Sequence, residues 1–170
     1  SFIPSSPRFT YTTSVLGDET PFSTFSSTAR ILSSKLSSFT SISGLQSFFE
    51  ENMKLLDDAN LTALFDVAPV YTKIRDDNPT RYIAGAKAEN IMAADGCVIE
   101  GEVENSILFR GVKIEKGAKV KNCILMQDTV VKAGADIEYI ITDKDVVVTA
   151  GKELKGTDSY PVYIVKHGRV

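Results

Sequence analysis

Branched apolar residues recur through the last third of the chain at six-residue spacing, inside a seventeen-residue period. Copies begin at Asn105, Asn122 and Tyr139 and read NSILFRGVKIEKGAKVK, NCILMQDTVVKAGADIE and YIITDKDVVVTAGKELK. Gly117, Gly134 and Gly151 align them. Three residues before each glycine stands Ile114, Val131 or Val148, and three after it Val120, Ile137 or Leu154. A glycine midway lets the backbone take φ > 0 at a corner. Ala118 and Ala135, beside two of these corners, are small enough to pack inside a narrow tube, while Glu115, Lys116, Lys119 and Lys121 fall on outward positions. A fixed short period signals stacked units. Three six-residue faces, less one residue, complete one turn. The pattern therefore predicts a mainly β fold: a left-handed parallel β-helix of the hexapeptide-repeat type over residues 83–170, with Ile114, Val131 and Val148 stacked as a ladder. An earlier turn at Ile99-Glu100-Gly101 follows the same logic with two residues fewer. The last segment, SYPVYIVKHGRV, breaks the repeat and reads as a capping strand over the final coil, because an exposed edge invites aggregation. A β-sandwich or a right-handed β-helix would also alternate, but neither demands a strict six-residue face.

Upstream the period changes. Leu45, Phe48, Phe49, Met53 and Leu56 fall on one face at helical spacing, which predicts an amphipathic helix over residues 44–57. Ser43 and Gln46 fit a capping box, and Glu50 and Glu51 lie near the favourable end of the dipole. Residues 58–66 (DANLTALFD) read as a second short helix ended by Pro69. In PVYTKIRDDNPTRY, Val70, Thr72 and Ile74 alternate with Tyr71, Lys73 and Arg75, as in a short strand or extended connector. Residues 43–82 thus form a helix and connector. Residues 1–42 are a Ser/Thr-rich leader whose composition favours a poorly ordered tail.

Composition then removes several functions. The chain has 170 residues and a net charge of -3, with no block of like charges. That leaves no electrostatic footprint for nucleic acid. There is no signal-peptide pattern, and no stretch approaches the roughly 18 apolar residues of a membrane helix. A cytoplasmic protein with neither nucleic acid nor membrane as partner is expected. Cys97 and Cys123 sit in no CxxC or Cys/His cluster, so two reduced, buried thiols are expected, although stacked coils could bring them together. The single histidine, His167, excludes a multi-histidine zinc site. Asp128, Asp143 and Asp145 gather near one corner, as a cation site or simply as solvated carboxylates. Lys113, Lys116, Lys119 and Lys121 could meet a phosphorylated effector, and Lys73, Arg75 and Arg81 another anion; a solvated surface is the favoured reading of both sets. No residue receives a catalytic, cofactor-binding or metal-binding role, and no cofactor is expected.

The run ADGCVIEGEVENSILFRGVKIEKGAKVKNCILMQD, followed by DKDVVV, resembles the C-terminal domain of bacterial ADP-glucose pyrophosphorylase (glucose-1-phosphate adenylyltransferase). It is nearer to the accessory, glycogen-biosynthesis subunit than to the catalytic one. SFFEENMKLLD is similar to the helix that closes that family's nucleotidyltransferase domain, and PVYTKIRDDNPTRY to the connector that follows. The resemblance covers about residues 44 to 170. It implies an N-terminal α/β domain that binds ATP and glucose 1-phosphate, and a C-terminal β-helix that mediates subunit contacts and helps relay allosteric control. This sequence has no glycine-rich phosphate loop, since its eleven glycines lie mostly at corners and turns, and no room for that α/β domain. No catalytic residue is carried over, and activity of this chain alone is not expected. The abrupt return of family-like sequence near Gly44 points to an out-of-frame translation or a foreign leader ahead of a truncated gene. The expected role is an assembly and regulatory domain in glycogen (ADP-glucose) biosynthesis, with the catalytic subunit or a second copy as partner. The rival is a hexapeptide-repeat acyltransferase, whose general base is usually a histidine on a coil.

Overall fold

A computed structural model describes residues 41–65 and 77–170. The expected connector strand at 70–75, its helix-ending Pro69 and the leader up to residue 40 lie outside the described residues.

The apolar helical spacing produces α1 (Leu45–Met53), which tightens into a 3-10 turn at Lys54–Leu56. After a break at Asp57, α2 (Asp58–Phe65) follows. The first helix is therefore shorter than 44–57. Asp57 takes an extended conformation, and its carboxylate accepts the Ala59 amide at 2.9 Å, which starts a new helix instead of continuing the old one. The cap also differs from expectation. Gly44, not Ser43, is the N-cap. Ser47 reaches back from the first turn, and its Oγ accepts the Ser43 and Gly44 amides, both at 3.0 Å. Gln46 donates to Glu50 Oε1 and takes no part in the cap. Glu50 and Glu51 fall beyond the first turn, which contains no acidic residue.

From Arg81 the chain winds in parallel rungs. In order they are β1 (Arg81–Tyr82), β2 (Lys87–Ala93), β3 (Val98–Ile99), β4 (Glu102–Leu108), β5 (Lys113–Ile114), β6 (Lys119–Lys121), β7 (Ile124–Leu125), β8 (Val130–Val131), β9 (Asp136–Glu138), β10 (Ile140–Thr142), β11 (Val147–Val148), β12 (Glu153–Lys155) and β13 (Val162–Ile164). The first face stacks β1, β3, β5, β8 and β11. The second face stacks the leading halves of β2 and β4 with β6, β9 and β12, and the third face stacks their trailing halves with β7, β10 and β13. Lys113 pairs with Val130 and Val130 with Val147, each seventeen positions on. Val98 pairs with Lys113 only fifteen positions on, because the corner at Gly101 is two residues shorter. The fold is the hexapeptide-type parallel β-helix that the spacing predicts. SYPVYIVKHGRV contributes a further rung: β13 pairs parallel with β10, and Arg169 bridges Val147.

Inward positions fill the prism. Ile99, Ile114, Val131 and Val148 form one buried ladder, and Val103, Val120 and Ile137 a second that ends at partly buried Leu154. Fully burying each such side chain contributes about 1.5–3 kcal/mol. Three corners turn the chain, and most of the turns place a left-handed residue there, the shortened corner at Gly101 being an exception. One uses Gly85, Gly117, Gly134 and Gly151; the next uses Asn90, Asn105, Asn122 and Tyr139; the third uses Gly96, Gly111, Asp128, Asp145 and His167. Asn and Asp tolerate this region better than other L-residues because their short polar chains bond locally.

Two glycines are constrained for different reasons. Gly101 has no positive φ, but a Cβ there would meet the Ala118 carbonyl oxygen in a steric clash and the Glu115 carbonyl oxygen at 2.9 Å. Gly117 has φ +75°, with only the Gly134 amide at 3.9 Å. Gly117→Ala should therefore cost about 1–2 kcal/mol, the left-handed penalty alone. Gly101→Ala must displace backbone between two rungs and should lower the thermal midpoint further. Melting both variants side by side checks the order.

Candidate functional site

The third face carries apolar residues on its outside as well as its inside. Ile107, Ile124, Ile141 and Tyr163 stand in register there. Helix α1 lies over this column: Phe49 is buried against Ile124 and Ile141, with Leu45, Phe48, Met53, Phe109, Tyr139 and Tyr163 around them. Phe49 and Tyr139 stack tilted at 54°, with ring centroids 6.0 Å apart. Tyr139 occupies the corner position that Asn122 holds one rung earlier, so the asparagine ladder gives way to an aromatic where the helix lands. Below it the ladder is polar: Asn90 Nδ2 donates to Asn105 Oδ1 at 2.8 Å.

The second face is charged on its outside and neutralises itself between rungs. Lys87 pairs with Glu102 at 2.6 Å, Lys121 with Glu104 at 3.2 Å and Lys155 with Asp136 at 3.6 Å. The Lys87 ammonium holds the Glu102 carboxyl below its ordinary range. These pairs are exposed, and solvent screening leaves such pairs little weight in stability. The first face carries Val98, Val130 and Val147 half-exposed, with Lys113 exposed between them.

The structure disperses most residues singled out in the sequence. Lys113 stands on the first face and Lys119 and Lys121 on the second, while Lys116 lies in the turn between the two strands β5 and β6. Asp128 and Asp145 are corner residues of successive rungs. Asp143 directly follows β10, at the entry to the turn that holds Asp145. It accepts the Tyr163 hydroxyl at 3.0 Å and the Lys144 amide at 2.7 Å. Burial, then the bond to Asp143, pushes the Tyr163 phenol up to about 12. No group of three potential metal ligands forms among the described residues. His167 sits on the last rung with Nδ1 3.6 Å from Asp145 Oδ2, its side chain 69% exposed. Asn105 and Asn122 lie seventeen residues apart and Asn90 fifteen before the first of them, and this corner, unlike the glycine one, is not expected from the sequence.

Both cysteines are free and buried. The Cys97 thiol meets the Phe109 carbonyl oxygen at 3.1 Å and the Cys123 thiol the Lys121 carbonyl oxygen at 3.0 Å. Burial raises both, Cys123 to about 12. Because the thiolate is the reactive form, neither should react with a disulfide reagent until the chain opens. A thiol assay in buffer and in denaturant should give no titre in the first and two equivalents in the second.

A parallel β-helix of hexapeptide period, with a helix strapped to one outer face, defines a hexapeptide-repeat protein. The family model of the GlmU-like, C-terminal hexapeptide matches residues 73–160, and the chain belongs to this family. Its relatives agree with the resemblance seen in the sequence. Over 120 residues it is 63% identical to the glycogen biosynthesis protein GlgD of Geobacillus stearothermophilus, covering 70% of this chain and 35% of that protein. It is 39% identical over 80 residues to GlgD of Bacillus subtilis (46% and 23%). It is 42% identical over 77 residues to the glucose-1-phosphate adenylyltransferase of Geobacillus stearothermophilus (45% and 20%). The chain thus spans about a third or less of the length of these relatives. No helix among the described residues is long and apolar enough to cross a membrane.

Proposed function

We propose that this chain is an assembly and regulatory unit in glycogen (ADP-glucose) biosynthesis, acting through contact with the catalytic subunit of a glucose-1-phosphate adenylyltransferase or with itself. The observation that carries the reading is 63% identity over 120 residues to a glycogen biosynthesis protein, in a chain whose prism gives its inward positions to packing. In this reading residues 43–82 are the helix and connector, residues 83–170 the contact module with its terminal strand as cap, and the setting is the cytoplasm. No catalytic, cofactor or metal residue is proposed, and the chain alone has no adenylyltransferase activity. The acyltransferase alternative would have to use His167 on the terminal rung.

Co-expression of the tagged chain with the catalytic adenylyltransferase of the same organism tests the proposal. The two should co-elute, with a change in the enzyme's response to effectors. A chain that elutes alone and leaves the enzyme unchanged defeats it, and acyl transfer lost in His167→Ala would favour the rival.

A further inference from the structure

Helix α1 covers the third face, and the second face pairs its own charges from rung to rung. The first face has no helix over it, and only one of its two outward columns pairs charge between rungs. Arg81, Val98, Lys113, Val130 and Val147 stand in register on its outer column, the three valines partly exposed, and Lys113 has no ion-pair partner among the described residues. Two residues further along each strand runs a second outward column, where Glu115 and Lys132 pair at 2.7 Å and stay more than a third exposed.

We propose that this first face is a subunit contact, and that its occupant is the same face of a second copy of this chain, related by a two-fold axis parallel to the β-helix axis. The inference rests on the subunit-contact reading above and names its surface. Such an axis keeps each rung level with its own counterpart and exchanges the two outward columns. Lys113 then stands opposite the partner's Glu115, and by symmetry that pair forms twice. On the next rung Val130 lies under the aliphatic stem of the partner's Lys132, a stem that can cover apolar surface while its charge stays wet. A two-fold along the strands would lay each column over itself and set Lys113 against lysine, arginine or valine. The charge pattern therefore selects one of the two closed arrangements.

Sedimentation velocity of the full 170-residue chain tests this. Wild type should dimerise. Lys113→Glu and Glu115→Lys should each weaken the dimer at least about tenfold, because like charges then meet twice. An equimolar mixture of the two variants should restore it, since each then faces the opposite charge. Lys119→Glu, on the second face, should leave it unchanged. A dimer indifferent to both first-face variants overturns the surface and leaves subunit contact standing. Loss in both variants without recovery on mixing overturns the two-fold. A wild-type chain that stays monomeric up to millimolar concentration removes self-association altogether, and co-elution with the catalytic subunit reports on the broader reading independently.

Discussion

Val131→Asp should abolish cooperative folding of the β-helix. Val131 is fully buried, hydrogen-bonded in register between Ile114 below and Val148 above. A carboxylate there has apolar neighbours on every side and no cation within the prism. Leaving a charge buried without a partner costs about 3–5 kcal/mol. Losing the valine's own burial adds about 1.5–3 kcal/mol. A domain of this size holds about 5–15 kcal/mol in total, so one substitution removes much of it. Position matters too. Stability in a stacked fold sums over units and their neighbour interfaces. A defect in a middle rung cuts the rungs on either side from each other, whereas one at partly buried Leu154 damages only an end. Urea unfolding followed by far-UV circular dichroism should show the native β signal lost in buffer, or a midpoint far below wild type. The variant has a pH signature as well. Burial raises an aspartate above its unfolded value, so the folded variant binds the proton more tightly and regains stability as pH falls through the raised value. Val131→Asn should lack that recovery. An unchanged midpoint in Val131→Asp would mean that residues 114, 131 and 148 do not stack.

The inward ladders were legible because burial on all sides leaves few choices: Ile114, Val131 and Val148 repeat at fixed spacing and only branched apolar residues occur there. The glycine corner was legible because glycine has no other reason to recur at such a spacing. The asparagine and aspartate corners were harder. Asn105 and Asn122 mark the repeat starts, and Asp128 and Asp145 suggested a carboxylate group, but polar residues at a bend have several explanations until φ is known. The helix cap differs because Gly44 stands extended at the N-cap, one residue later than expected, which makes Ser47 the residue that reaches back to the Ser43 and Gly44 amides. The landing surface for α1 was written in the doublets Ile107-Leu108, Ile124-Leu125 and Ile140-Ile141. In a strand, neighbouring apolar residues point to opposite faces, so doublets on successive rungs mean that the outside is covered too. A contact surface, unlike a catalytic cluster, leaves no unusual residue type to find.

Phe49→Ala should release α1 while the β-helix stays wound. Phe49 is 2% exposed, and no other residue of α1 is fully buried. Its ring rests on Ile124 and Ile141 and stacks on Tyr139. Truncating a buried phenylalanine costs about 3–5 kcal/mol, and the remaining half-buried contacts of a nine-residue helix cannot offset that. Isolated helices of this length are marginal in water, so an undocked α1 should also lose helicity. The inward ladders are untouched, because Phe49 packs on the outside of the third face. Two separable signals follow. Amide exchange protection should vanish over residues 45–56 and persist over the rungs, where β4, β7 and β10 keep their hydrogen bonds. The uncovered column of Ile107, Ile124 and Ile141 should bind a hydrophobic dye and promote association, as large exposed apolar patches do. Tyr139→Asn, which restores the residue type of the neighbouring rungs, should show the same trend at about 0.5–1.5 kcal/mol, the worth of an aromatic pair. If Phe49→Ala instead lowers helix and β-helix together in one transition, α1 is part of a single cooperative unit, and the outer face depends on it for folding and not merely for cover.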